Sequence, residues 1–426
     1  MSNRLQSDVL VIGGGPAGMA AAACAAESGT HVIIVDDNPG LGGQIWRGQE
    51  NGGAPPEVAR WYGRLRNENI HAIRGARVFE QPEPGCLLAE TWDGIVELRY
   101  GSLVLCTGAR ERFLPFPGWT LPNVMGAGGL QALAKAGLPI AGKRVVVAGS
   151  GPLLLAVAAY LHEHEARVIL IAEQASSAAL RRFATRLLVY PGKVFQAIRL
   201  KLDLPGVRYR SDCWPVAAHG TDKLTGVTVQ CGARQETIAC DYLACGFGLV
   251  PNTELAALLG ARLKNGYVDV DEWQQTSLPD IYCAGEPTGI GGLELSLSEG
   301  QIAGYAAAGK RSNATEVFAE RKAYTKFATL LEKTFSLREE LRMLPQDDTI
   351  LCRCEDVRFG RARAYGSWRA SKLHSRCGMG PCQGRVCGSA AEFLLGWMPE
   401  SVRPPLFPVR VENLAAVGGS KEIADY

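Results

Sequence analysis

The chain lacks any uninterrupted apolar run of membrane-spanning length. Its opening residues, MSNRLQSDVLVIGGG, pass straight into a strand pattern, without the apolar segment and cleavage site of a secretory signal. Net charge is almost absent: 45 Lys and Arg against 43 Asp and Glu leave +2 over 426 residues. That balance gives no electrostatic reason for nucleic acid or an anionic membrane to be the main partner. Histidine is scarce too. The six (His31, His71, His162, His164, His219 and His374) are isolated or lie on solvated stretches, and none presents itself as a catalytic acid or base. These absences predict a cytoplasmic protein with no nucleic-acid partner. The length predicts two or three domains.

Thirteen cysteines are present, and their distribution gives them meaning. Eight are scattered from Cys24 to Cys283, where a reducing compartment predicts buried thiols that pack as small hydrophobes. Cys240 and Cys245 bracket a strand, so burial explains them better than a redox pair. No cysteine pair follows Gly43, where several disulfide reductases carry theirs, which argues against a dithiol reductase. The remaining five crowd into Cys352 to Cys387, as ligands do.

The uniformly apolar Val9 to Ile12 reads as a strand buried on both faces. It runs into Gly13-Gly14-Gly15-Pro16-Ala17-Gly18 and an alanine-rich helix; a second strand, His31 to Val35, ends in Asp36-Asp37. This is the order of a mononucleotide-binding βαβ unit. Gly13 permits the tight turn, Gly15 lets a pyrophosphate approach, and Gly18 lets helix and strand pack closely. The helix N-terminus faces the phosphates, and Asp36 is placed for the adenosine ribose. Gly42-Gly43-Gln44 follows the acid, and a buried strand ends at Thr107-Gly108. Further on, Thr276 to Gly285 leads into Glu286, resembling the segment whose terminal acid holds a flavin ribityl chain, here Glu where Asp is commoner. A helix beginning near Glu294 would direct its N-terminal dipole at the flavin ring. FAD is therefore expected at this first site.

A second unit repeats the pattern: strand Lys143 to Ala148, Gly149-Ser150-Gly151-Pro152-Leu153-Leu154, a helix, and a strand ending at Glu173. Leu154 replaces the third glycine, and no Arg pair follows Glu173 to meet a 2′-phosphate. NAD or another nucleotide at Gly149 to Glu173 and an unoccupied scaffold stand about even.

Near the C-terminus stand Cys352-Arg353-Cys354 and Cys377-Gly378-Met379-Gly380-Pro381-Cys382-Gln383-Gly384-Arg385-Val386-Cys387. Such spacing, with glycines that let backbone N–H groups approach sulfur, suits either a [2Fe–2S] cluster or a tetrahedral zinc. Iron–sulfur is favoured, because a flavoprotein has use for a one-electron partner. Eight Lys or Arg residues between Leu351 and Cys387 would also stabilise an anionic cluster, unless they form an ordinary solvated face. Five cysteines compete for four places.

With these motifs in view, the chain resembles the FAD-containing subunit of the heteromeric octopine and nopaline oxidases, D-hydroxyproline dehydrogenase and hydrogen cyanide synthase. The resemblance rests on Gly13 to Gly18, Gly42 to Arg47, Glu111 through Pro115-Phe116-Pro117-Gly118-Trp119, the Glu286 region, Arg403-Pro404-Pro405 and, most sharply, the cysteine motifs. It implies an α/β, glutathione-reductase-like fold with two dinucleotide-binding domains and a C-terminal domain like bacterioferritin-associated ferredoxin, carrying [2Fe–2S]. The family's ligands map onto Cys352, Cys354, Cys382 and Cys387, leaving Cys377 as an extra thiol. Also implied is an amino-acid-oxidase-like flavoprotein partner that takes the hydride from a C–N bond; a small ferredoxin-like subunit is a further component. This chain would pass the electrons to a respiratory acceptor, at the inner face of the membrane through the complex. Which amine is oxidised is not specified by this chain. Two rival readings are a self-contained NADH-dependent oxidoreductase and, outside enzymology, an iron-trafficking module.

The expected organisation is an FAD domain from 1 to 120 and 262 to 311, with an inserted nucleotide-like domain from 121 to 261. A helical linker from 312 to 345, a cluster domain from 346 to 397 and a tail from 398 to 426 complete it.

Overall fold

The computed structural model describes residues 3–50, 54–398 and 402–418. The chain divides into two compact units: residues 1–110, 251–328 and 401–426 form the first, residues 111–250 and 329–400 the second. Parts of the expected tail, 399–401 and 419–426, lie outside the described residues.

The first unit is built on a seven-stranded sheet. Across it run Ile70–Arg74, Val32–Asp36, Asn3–Ile12, Gly94–Leu105, Cys86–Thr91 and Arg77–Glu83, and Ile281–Cys283 also pairs with Gly94–Leu105. The four strands at the glycine turn are parallel to their neighbours: Val9 to Ile12 pair in register with Val32 to Val35 and with Ser102 to Leu105. Alternate residues of these apolar runs serve opposite faces. Val9, Val11, Val32, Ile34 and Val104 pack under the alanine-rich helix Pro16–Glu27, whereas Leu10, Ile12, Ile33, Val35, Leu103 and Leu105 fill the core on the other side. Burial on both faces is the reason the strands read as continuous apolar segments.

Helix Leu293–Ala307 lies close against Pro16–Glu27. A Cβ on Gly300 would strike the Ala17 carbonyl oxygen, and one on Gly304 the Ala21 oxygen. The two backbones approach as near as they do only because these positions carry no side chain. Residues 402–418 fold back onto this same unit. Leu406 is buried in its core, and Arg410 and Asn413 both bond Glu90.

The second unit holds a five-stranded parallel sheet in the order Arg208–Arg210, Arg167–Glu173, Arg144–Gly149, Tyr242–Gly246, Val124–Gly126. Beside it stands an antiparallel three-stranded sheet of Cys213–His219, Gly226–Cys231 and Arg234–Ala239. Leu154 does not force the second glycine turn apart. It is fully buried, and the space it needs is provided on the adjacent strand, where a Cβ at Gly246 would come within 3.1 Å of its side chain.

The division of the chain differs from the expected boundaries for local reasons. Glu111 belongs to the second unit because its carboxylate accepts the Gly128 and Gly129 N–H groups at 2.7 and 3.0 Å, at the start of helix Ala127–Lys135. The division into two units falls within the expected linker, inside helix Phe318–Thr334. The cysteine-bearing segment has a core of its own around Leu351, Phe359 and Trp368, yet it is continuous with the second unit. Trp119 Nε1 donates to the Ile350 carbonyl at 2.6 Å, with the Arg353 guanidinium over the Trp119 ring at 5.5 Å.

One cysteine expectation needs correction. Cys213 and Cys231 are opposed across neighbouring antiparallel strands and are disulfide-bonded, not separate thiols, because the register brings their sulfurs together. The other six scattered cysteines, including Cys240 and Cys245, are free and buried.

The close approach of the two helices in the first unit yields a test. Gly300→Val should destabilise the protein by about 3 kcal/mol or more, since the new side chain meets backbone and not a yielding side-chain tip. Gly289→Ala, which meets nothing within 4 Å, should leave the thermal unfolding midpoint nearly unchanged.

Candidate functional site

In the first unit the predicted turn residues come together at the C-terminal ends of the parallel strands Asn3–Ile12, Val32–Asp36 and Gly94–Leu105. Pro16 opens the helix, where its missing N–H costs nothing, and Gly15 is the N-cap with no side-chain capping bond. The N-terminal N–H groups of that helix are thus available to a phosphate. Gly18 is required by contact: a Cβ there would collide with the Gly13 oxygen. Gly15 is less crowded, its nearest neighbour being Gly43 Cα, in ordinary contact at 3.9 Å from the position of a Cβ. Gly42 N donates to the Gly14 oxygen at 2.7 Å, tying the second glycine loop to the first. Gln44 is exposed.

Asp36 is buried and does more than wait for a ribose. One of its oxygens accepts the Gly14 N–H at 2.5 Å, and the other accepts the backbone and side-chain N–H groups of Asn38 at 2.7 and 2.8 Å. The acid therefore braces the turn. Asp37 beside it is half exposed and faces Arg77 at 3.6 Å; burial, then the charge of Asp36, pushes its carboxyl upward. The Thr107 hydroxyl donates to the Asn252 carbonyl at 2.5 Å, and Asn252 reaches back to Thr107 and Gly108, a link carried by no local motif.

The segment ending at Glu286 supplies a direct test of fit to a flavin dinucleotide. One Glu286 oxygen accepts the Gly292 N–H at 3.1 Å, while Oε2 is buried with no hydrogen-bond partner among the described residues. Burial pushes this carboxyl up to about 7 against the pull of the Gly292 N–H. A buried acceptor lacking a donor is costly unless a ligand supplies one, and a ribityl hydroxyl is such a donor. Helix Leu293–Ala307 begins within two residues of the expected position. The residues fit FAD.

Sequence reasoning missed Glu299. It sits fully buried on that helix and accepts the Gly285 N–H at 2.9 Å and the Thr288 hydroxyl at 2.8 Å, so it fixes the loop that carries Glu286. Its signal was available: one acid on a helical face that is otherwise Leu, Ile, Ala, Gly and Ser.

The second glycine turn repeats the brace, with Glu173 accepting the Gly151 and Ala175 N–H groups at 2.7 and 2.8 Å. Its open side, however, is covered. The Phe335 side chain lies 3.8 Å from where a Cβ of Gly151 would project. The Ser150 hydroxyl donates to the Phe335 carbonyl at 2.8 Å, and Gln174 bonds the Ser336 carbonyl and the Arg338 N–H at 3.1 and 3.2 Å. Residues 335–338 thus lie over the turn on the side from which a pyrophosphate would approach.

In the cysteine segment the ligand atoms of Cys352, Cys377 and Cys387 lie within 4.8 Å of one another, all buried. Cys354 and Cys382 form a second group, hydrogen-bonded to each other by side chain and backbone, with Cys354 exposed and Cys382 partly so. All five cysteines are thus gathered into two adjoining groups, and Cys377 sits inside the tighter one. The loop allows this through Gly380, where a Cβ would strike that of Cys354. Donation from the Cys377 and Cys387 thiols, and then from the Gly378 and Glu355 N–H groups, holds Cys352 below the usual thiol range, and the same sharing with Cys352 pushes Cys377 up. Backbone donors converging on a sulfur make a cradle for thiolate, the form that binds metal. The donor set fits a thiolate-ligated centre. Of the nearby cations, Arg353, Arg358, Arg361, Arg363, Arg369 and Arg376 are exposed, so most of this charge is a solvated face.

The family model described as pyridine nucleotide-disulphide oxidoreductase matches residues 7–309. The chain is 31% identical to hydrogen cyanide synthase subunit HcnB of Pseudomonas aeruginosa, over 94% of this chain and 96% of that one. It is 29% identical to an opine oxidase subunit of Rhizobium meliloti, over 96% and 98%. Among solved structures, L-proline dehydrogenase from P. horikoshii superposes with a TM-score of 0.67 at 19% identity, covering 97% of this chain and 80% of that one. Thioredoxin reductase of T. acidophilum gives 0.54 at 21%, covering 71% and 98%. Both are likenesses of fold.

Glu299 makes stability pH-dependent in a stated direction. Burial raises its folded-state carboxyl from 4.5 to about 7, opposed by Thr288, Arg321 and the Gly285 N–H. Between those values the folded chain keeps a proton that the unfolded chain has released, so stability is full below the window and falls as pH rises through it. Glu299→Gln should flatten that decline, read as a smaller drop in unfolding midpoint between about pH 5 and about pH 8.

Proposed function

The chain belongs to the pyridine nucleotide-disulphide oxidoreductase family and to the group that includes hydrogen cyanide synthase subunit HcnB and the opine oxidase subunit; from that premise we propose that it is the FAD- and [2Fe–2S]-containing subunit of a heteromeric amine or amino-acid dehydrogenase. The substrate is of the D-hydroxyproline, opine or glycine type and is oxidised on a partner flavoprotein subunit. This chain conveys the electrons toward a respiratory acceptor. The observation that carries the reading is the coexistence, in one chain, of a glycine turn with an undonated acceptor at Glu286 Oε2 and a gathered set of five cysteines.

The geometry supports the following roles. N–H groups at the start of helix Pro16–Glu27 would hold a pyrophosphate, Asp36 braces the turn, and Glu286, positioned by Glu299 through Gly285 and Thr288, would receive a ribityl hydroxyl. Bound FAD supplies two-electron acceptance with one-electron release, which side chains cannot. Cys352, Cys354, Cys382 and Cys387 are the proposed ligands of the cluster. Cys377, hydrogen-bonded to Cys352, stands close enough to substitute for one of them.

A self-contained NADH oxidoreductase remains the rival, because Gly149 to Glu173 reproduces the braced turn. Residues 335–338 over that turn weigh against it.

Two measurements separate these readings. The isolated flavoprotein should stay oxidised with amino acids and reduce only when substrate and the partner subunit are both present; reduction by amino acid alone would contradict the proposal. Rapid mixing with NADH should leave the flavin band unbleached, and fast bleaching would favour the rival.

A further inference from the structure

Two consecutive helices of the second unit, Ser177–Leu187 and Pro191–Leu202, contain no buried residue. That is unusual for elements inside a domain, because a helix is ordinarily held by burying one apolar face. The apolar residues are nevertheless there. Leu188 and Val189, in the turn joining the helices, are 70% and 75% exposed, and Phe195, Ile198 and Leu202 are 70%, 53% and 74% exposed. The last three recur at the i, i+3, i+7 spacing of a single helical face. The face that does meet the protein is a different one, where Leu200 packs beside the buried Leu204.

The charge of the segment is as one-sided as its apolarity. From Gln174 to Leu202 there is no Asp or Glu, while Arg181, Arg182, Arg186, Lys193, Arg199 and Lys201 are all present. Arg199 and Lys201 are exposed and fall on either side of the Phe195–Ile198–Leu202 stripe. The near-neutral total of the chain conceals this concentration.

We infer that this helical pair is a docking surface for an anionic phospholipid bilayer, with Leu188, Val189, Phe195, Ile198 and Leu202 entering the headgroup–acyl boundary. An apolar stripe flanked by long cationic side chains is what an interfacial helix presents: the stems of Arg199 and Lys201 can lie along the apolar region while their charges reach the phosphates. Six cations with no acid among them from Gln174 to Leu202 complement a uniformly anionic surface. The inference rests on the reading that electrons leave for a respiratory acceptor only in its biological sense. Where that reading places the membrane behind other subunits, this one gives the chain its own contact.

The test is flotation of the full-length protein with vesicles of phosphatidylcholine, with and without phosphatidylglycerol. Binding is expected on the phosphatidylglycerol vesicles, weakened by added salt. Arg199→Gln and Lys201→Gln should each lower partitioning about fivefold, the effect of removing one interfacial cation. Phe195→Ser with Leu202→Ser should abolish it, while far-UV circular dichroism and elution volume stay those of the parent because neither side chain is buried. Absence of binding by the parent, or equal binding by the apolar variant, overturns the inference. So does loss of partner-subunit co-purification by these variants when the parent ignores vesicles, since the surface would then be a protein interface. Flotation needs neither substrate nor electron transfer, so its failure is distinct from failure of the proposed function.

Discussion

Both nucleotide-type turns depend on one interaction: a buried carboxylate at the end of a strand that accepts backbone N–H groups from the glycine turn beside it. Asp36 holds Gly14 in this way, and Glu173 holds Gly151. The acid fixes where the helix begins, and the helix start decides where N–H groups are offered. In the first unit the neighbour of that turn is a second glycine loop, residues 42–43, which brings no side chain against it. In the second, Phe335 and Ser336 lie over the same place. The same local geometry thus meets a glycine loop in one unit and residues 335–338 in the other. What differs is what the rest of the chain puts against the turn, which supports reading function from sites and not from fold.

A similar economy joins the two carboxylates of the Glu286 loop. Glu299 uses the Gly285 N–H and the Thr288 hydroxyl to hold the loop, leaving Glu286 with one satisfied oxygen and one that has no partner. The cysteine segment is organised along comparable lines. Glycine loops bring sulfur atoms to within 4.8 Å, backbone N–H groups turn toward Cys352, and a small apolar core around Trp368 encloses them. Three buried sulfurs at that separation favour either shared protons or a metal-containing core, and thiolate donors select soft metal centres.

Much of this was legible in the sequence because the signals are local. Glycine spacing, strand-terminal acids and doubly buried apolar runs marked both βαβ units and, to within two residues, the helix after Glu286. The cysteine cluster was visible from spacing alone. What was not legible comes from residues far apart in sequence: Glu111 reaching Gly128 and Gly129, residues 335–338 reaching the second turn, and strand register uniting Cys213 with Cys231. The grouping of Cys377 with Cys352 and Cys387 is of the same kind, since spacing pairs Cys352 with Cys354 and leaves either Cys382 with Cys387 or Cys377 with Cys382 beside them. Net composition also hides a local feature, since a charge of +2 averages away an acid-free basic segment on two exposed helices.

The central claim is that one chain holds FAD together with an iron–sulfur centre on its C-terminal cysteines. Its most direct test is metal, sulfide and flavin analysis of protein purified without oxygen. The account predicts iron and acid-labile sulfide in equal amounts, each about twice the FAD. Stoichiometric zinc in their place, or flavin with neither iron nor sulfide, would contradict it.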